Sequence, residues 1–160
     1  MPLLRFSLVA SVLLGLTCAT SLPGCHHLTL TDENTQIVLQ NHRQSILEDF
    51  AHIFYIEKRV TDAFHAYVTE DYIQHNPNIL DGREAALAYL APRYAAQGLV
   101  FEIHHAFVGG DYGLVHLRAR APGRNETAVM DMYRFEGLQI VEHWDVLQAV
   151  TVGINPHPFF

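Results

Sequence analysis

Past residue 25 the sequence has no cysteine, Cys18 and Cys25 being its only two. This excludes a disulfide framework and a cysteine-ligated zinc site from the body of the chain. Lysine is almost missing: Lys58 stands alone among ten Lys+Arg, against seventeen Asp+Glu, for a formal charge of −7. No basic stripe exists to neutralise phosphates, so no nucleic-acid partner is expected. No apolar run reaches the about 20 residues of a membrane span, and no internal repeat or low-complexity segment occurs. With 49% hydrophobic and 17% charged residues over 160 positions, the chain is too apolar for a disordered tail and long enough for one domain with a core. What it has in excess is histidine, eleven in all.

Met1 to Arg5 carries one cation, Phe6 to Leu16 is apolar, and small or turn-forming residues follow to Gly24. That is the layout of a secretory signal. Pro23-Gly24 breaks any helix that would lengthen the run. Leu22-Pro23-Gly24-Cys25 resembles the lipobox of bacterial lipoproteins, which implies that Cys25 becomes the lipidated first residue. Ordinary cleavage near Ala19-Thr20-Ser21 is the other route. The expected organisation is a signal peptide over 1–24, a tether over 25–41, a domain over 42–150 and a tail over 151–160. The product would be exported, periplasmic, and in contact with a membrane only through its lipid.

From His42 to Ile56 the apolar Ile46, Leu47, Phe50, Ile53 and Phe54 recur every three or four residues and predict a helix. Thr61 is placed to cap a second, short helix burying Ala63, Phe64, Ala66 and Tyr67, after which the chain extends through Tyr72 to His75 and stops at Asn76-Pro77. Asp81 with Glu84 forms a capping pattern for a third helix running to Gly98. The period then becomes two. Val100–Val108, Tyr112–Arg120, Thr127–Phe135 and Gln139–Leu147 read as strands with tight turns between them, hence an antiparallel meander. The fold class is α+β: a curved antiparallel sheet wrapped around N-terminal helices, with a ligand pocket between them.

Val129, Asp131, Tyr133 and Phe135 share one face of their strand, so Asp131 sits among apolar neighbours. In the last strand His143, Asp145 and Leu147 alternate with Glu142, Trp144 and Val146, and parity leaves open which set faces the helices. A mid-strand aspartate is costly unless it is paired or functional; both could instead face solvent on an open sheet. His104 and His105 alternate, so at most one looks inward. Trp144 either walls the pocket or packs in a dimer interface, the reading preferred here. The sequon Asn125-Glu126-Thr127 is read as chance.

Asp71-Tyr72-Ile73-Gln74-His75-Asn76-Pro77, Asp81-Gly82, Gly110-Asp111-Tyr112, the run from Ala128 to Gly137 and the run from Ile140 to Gln148 occur in the order seen in SnoaL-like proteins. The resemblance spans about Arg43 to Val150 and places the chain within the nuclear transport factor 2-like superfamily, nearest the group of predicted aldol-condensation enzymes. It implies a cone-shaped α+β barrel, often dimeric, with a pocket between helices and sheet. The superfamily holds cyclases, isomerases, dehydratases, epoxide hydrolases and proteins without catalysis, so fold does not fix function. The acid/base aspartate of the polyketide cyclases matches Asp145, and their pocket histidine falls at Asp131.

The expected site therefore has Asp145 and Asp131 as an acid/base pair, with His75 and His143 orienting or relaying protons, and Tyr133, Leu147, Tyr72 and His116 lining the pocket. Aldol-type, cyclase-type or isomerase-type chemistry on a small apolar carbonyl compound fits such a pair; the rival is a non-catalytic lipoprotein holding a small hydrophobic molecule. No cofactor is expected. A metal site from His75, His116, His143 and an aspartate lacks compact ligand spacing and is set aside. A homodimer covering the convex sheet face completes the expectation.

Overall fold

A computed structural model describes residues 30–160. Helix α1 spans Leu30–Ala51, α2 Val60–Tyr67 and α3 Arg83–Tyr94; strands β1 to β5 span Val68–Gln74, Val100–Gly109, Tyr112–Arg120, Thr127–Glu136 and Gln139–Ala149. The sheet order is β1-β5-β4-β3-β2. The last four strands form the antiparallel meander. β1 adds to it in parallel with β5, so the sheet is mixed rather than antiparallel. The extended run before Asn76 is this fifth strand, and a parallel partner cannot be read from a hairpin signal. Among the described residues β1 and β2 remain free edges, so the curved sheet is open there and does not close into a barrel.

α1 begins at Leu30, twelve residues before the expected His42, so the stretch read as a tether is helical from there on. Residues 32–38 are all exposed, and a helix with no buried face leaves no apolar stripe in the sequence. The segment expected to be a signal peptide, Cys25 and residues 26–29 lie outside the described residues. Where the stripe does exist it packs as expected: Leu47, Phe50, Ala51 and Phe54 are buried, and the Phe50 ring meets Phe54 and Tyr133 at 5.2 Å and Phe64 at 6.0 Å.

Two expected caps are absent. Thr61 lies inside α2, which starts at Val60 with no side-chain cap. Asp81 does not cap α3; its Oδ1 accepts from the Gln74 N–H at 2.8 Å, closing the end of β1. Gly82, at φ +95°, precedes α3 and donates its N–H to Tyr72 O at 2.7 Å. A polar side chain serves whichever orphan donor the tertiary fold brings to it. α3 stops at Tyr94, not Gly98, with Pro92 in its last turn.

A bulge decides the parity that the sequence left open. Arg134 pairs with Glu142 and Phe135 with Ile140, so Val141 is an extra residue in β5. Ile140 and His143, three apart, therefore both turn inward and are buried. A second bulge at His104 turns both His104 and His105 towards His116 on the outer face, with ring centroids 5.7 and 5.6 Å away.

Candidate functional site

The inner face of the sheet and the helices enclose a cavity of about 690 Å³. Aromatic side chains from the helices, among them Phe54, Phe64, Tyr89 and Tyr94, make one wall, and Leu117 and Val129 of the sheet face them. Its mouth is bordered by exposed residues: Arg93 within the end of α3 and Gln97 after it, Pro122 and Arg124 in the β3–β4 turn, and Leu147.

On the floor stand two carboxylates and an imidazole. Asp131 of β4 pairs directly with Asp145 of β5, and His143 with Tyr133, which puts all four side chains on the inner face. His143 Nε2 is 3.4 Å from Asp131 Oδ1, both residues being buried. On the other side of the ring Nδ1 is 2.9 Å from Gln74 Oε1. That same oxygen accepts the Asn76 N–H at 2.9 Å, which fixes the amide orientation and makes Nδ1 the donor. Asn76 in turn donates its Nδ2 amide to Asp145 Oδ2. The segment Gln74-His75-Asn76 at the end of β1 thus orients both His143 and Asp145.

Tyr55 completes the floor. It sits in a π-helical turn, His52–Ile56, continuing α1, where Glu57 N–H donates to His52 O at 3.0 Å across five residues. The wider turn buries Phe54 and Tyr55 together. The Tyr55 hydroxyl donates to Asp131 Oδ2 and lies 2.6 Å from the Tyr133 hydroxyl. Burial, and then the Asp131 charge, push the Tyr55, Tyr72 and Tyr133 phenols well above their ordinary value, so they stay protonated donors.

Of the residues singled out from the sequence, the structure brings Asp131, Asp145, His143, Tyr133, Tyr72 and Leu147 to this one cavity, Leu147 at its mouth. It does not bring His75 or His116 there. His75 is on the outer face, stacked on Trp144 at 4.7 Å with Nε2 2.8 Å from Glu142 Oε1. Trp144 therefore does not wall the pocket. His116 is buried, but beneath the C-terminal Phe160, 5.4 Å away, on the outside of β3. Strand alternation alone placed it outside, since Val115 and Leu117 point in. Tyr55, Gln74 and Asn76 were not anticipated as site residues. Gln74 and Asn76 stand in the motif that carried the resemblance, whereas Tyr55 is hidden in the apolar run Ile53-Phe54-Tyr55-Ile56.

The SnoaL-like domain profile matches residues 47–143. No curated protein matches the sequence. Among solved structures, an NTF2-like protein of unknown function from Mesorhizobium loti superposes with a TM-score of 0.59 at 18% identity, covering 69% of this chain and 93% of that one. A protein assigned as a polyketide cyclase from Acidithiobacillus ferrooxidans gives 0.53 at 17%, covering 66% and 87%. An LEH-like epoxide hydrolase from Mycobacterium tuberculosis gives 0.53 at 16%, covering 68% and 84%. Identities this low show the fold alone, but the profile covers more than half of the chain, including β4 and the His143 end of the floor, and this chain belongs to the SnoaL-like domain family.

Proposed function

We propose that the cavity performs proton-transfer chemistry on a small, largely apolar carbonyl compound. One observation carries this: Asp131 and Asp145 stand opposite each other at the bottom of an aromatic cavity, each held by a different donor. Asp145, only partly buried and accepting the Asn76 amide, is the base that takes a proton from the carbon beside the carbonyl. Asp131 and the Nε2 of His143 hold a proton between them and pass it to the carbonyl oxygen as negative charge develops there. The Tyr55 phenol keeps Asp131 hydrogen-bonded while charge moves, and the Tyr133 hydroxyl backs that of Tyr55. The epoxide hydrolase and polyketide cyclase among the structural neighbours support a small-molecule site.

The test is exchange of hydrogen for deuterium beside the carbonyl of a panel of small ketones and aldehydes in heavy water, followed by NMR. The wild-type protein is expected to catalyse exchange with at least one member, and Asp145→Asn to slow it by about 10² or more with the fold intact. Tight binding of panel members with no exchange would establish the binding-protein reading instead.

We also propose that the protein is exported and anchored through Cys25, the reading that the apolar segment before Leu22-Pro23-Gly24-Cys25 supports. No helix among the described residues is long and apolar enough to cross a membrane.

A further inference from the structure

The three donors on the cavity floor have the makings of metal ligands as well as proton carriers. With Nδ1 of His143 donating to Gln74, its other ring nitrogen, Nε2, is turned towards Asp131 Oδ1, 3.4 Å away. Both residues are over nine-tenths buried, at 7% and 6% exposed. Asp145, opposite Asp131, brings a second carboxylate to the same spot, and like charges directly opposed on a sheet repel. Ligand atoms of this kind facing one another away from water need a proton or a metal ion between them. One ligand atom from each of Asp131, His143 and Asp145 lies within 4.8 Å of the others. The 3.4 Å separation is long for a hydrogen bond, but it is the distance of about 3.4 Å between two ligands placed tetrahedrally at about 2.0–2.1 Å from one ion.

We propose that Asp131, His143 and Asp145 bind one divalent first-row transition-metal ion, with its remaining positions open to the cavity. One imidazole with two carboxylates suits manganese, iron, cobalt or zinc rather than magnesium or calcium. Gln74 is the outer partner that fixes which ring nitrogen is offered, and Asn76 does the same for the Asp145 carboxylate. The sequence spacing hid this set because its members come together across β4 and β5, not along one segment. The inference shares the floor of the site described above: a bound ion takes the place of the proton assigned there to Asp131 and His143, so the proton-transfer reading describes the metal-free form.

Full-length protein stripped with chelator and titrated with Co²⁺ tests it, calorimetry reading stoichiometry and visible absorption reading geometry. One Co²⁺ per chain is expected, with Kd of about 1 μM or tighter. Asp145→Asn should weaken binding at least tenfold, and Gln74→Leu, which keeps all three ligands, by about 10–100-fold. Circular dichroism checks that each variant folds, and Asp145 lies at a partly exposed position where neutralisation relieves repulsion. No stoichiometric binding, with a proton alone holding the cluster together, would overturn the inference. So would binding unmoved by both variants and lost instead in His104→Asn/His116→Asn, the imidazole cluster on the outer face. Deuterium exchange that survives in metal-free protein keeps the proton-transfer reading whichever way the titration falls.

Discussion

Tyr55 is 1% exposed and its hydroxyl serves Asp131 and Tyr133 at once. Replacing it with phenylalanine keeps the ring packing against Tyr94 and Phe101 but leaves a buried carboxylate and a buried phenol each short of a partner. Tyr55→Phe is therefore expected to cost about 1–3 kcal/mol in a urea titration. It should also impair deuterium exchange at the floor, because Asp131 loses the donor that orients it. Phe54, its neighbour in the chain, is a contrasting case: it carries no polar atom on its side chain, stacks on Tyr94 at 4.6 Å and on Phe50 at 5.2 Å, and meets the Tyr55 ring edge-on at 4.6 Å. Its truncation would remove packing and widen the cavity wall without taking a hydrogen bond from the floor.

Elements are held to one another at identifiable points. Glu142 of β5 accepts from Arg134 of β4 at 2.6 Å and approaches His75 beyond β1 at 2.8 Å, so it ties three strands together on the outer face. These partners, His75 first, hold its carboxyl below the ordinary carboxylate value. A depressed folded-state value stabilises the protein above the unfolded value, and that contribution is lost as pH falls through the folded one. Thermal midpoints of wild type and Glu142→Gln should therefore differ near neutrality and converge on acidification below the ordinary carboxylate range. The approach of α1 to β3 is a second such point. A Cβ on Gly113 would meet Leu47 Cδ2 at 2.9 Å and Phe135 Cε2 at 3.1 Å. Gly113→Ala should destabilise by about 1–3 kcal/mol in chemical denaturation, since neither neighbour, both buried, has room to move aside.

At the scale of the molecule, Arg43 locks the first helix to the far end of the sheet. Its Nε donates to Gly137 O at 2.8 Å, and its Nη1 to Gly110 O at 2.9 Å and Asp111 Oδ1 at 2.7 Å, so one buried guanidinium joins the β2–β3 and β4–β5 turns. The domain faces outward with Trp144, Tyr112 and the Phe160-covered histidines, and inward with Asp131 and Asp145. The proposed anchor belongs to this scale too. Cys25→Ala is expected to move the protein from the membrane to the soluble fraction and to remove the lipid mass from its N-terminus, as fractionation and intact-mass measurement would show.

The α+β class, the four meander strands and the face that Asp131 shares with Val129, Tyr133 and Phe135 follow from the sequence by itself, because a period of two or of 3.6 is set by local geometry and a half-buried strand must alternate; that this face looks inward is shown by the fold. The turns and the motif around Gln74 and Asn76 are equally local. What only the tertiary structure decided is what depends on pairing. Val141 is a bulge only because β4 lies beside β5, and that single extra residue sends Ile140 and His143 to the same face. His75, which looks equivalent to His143 as a residue, lies on the other face, stacked on Trp144. Tyr55 reaches Asp131 across 76 positions of chain, and no local pattern records a contact that long. The parallel pairing of β1 with β5 is of the same kind, since backbone hydrogen bonding is nearly blind to side-chain identity and its partner is chosen by how the helices and sheet share one core.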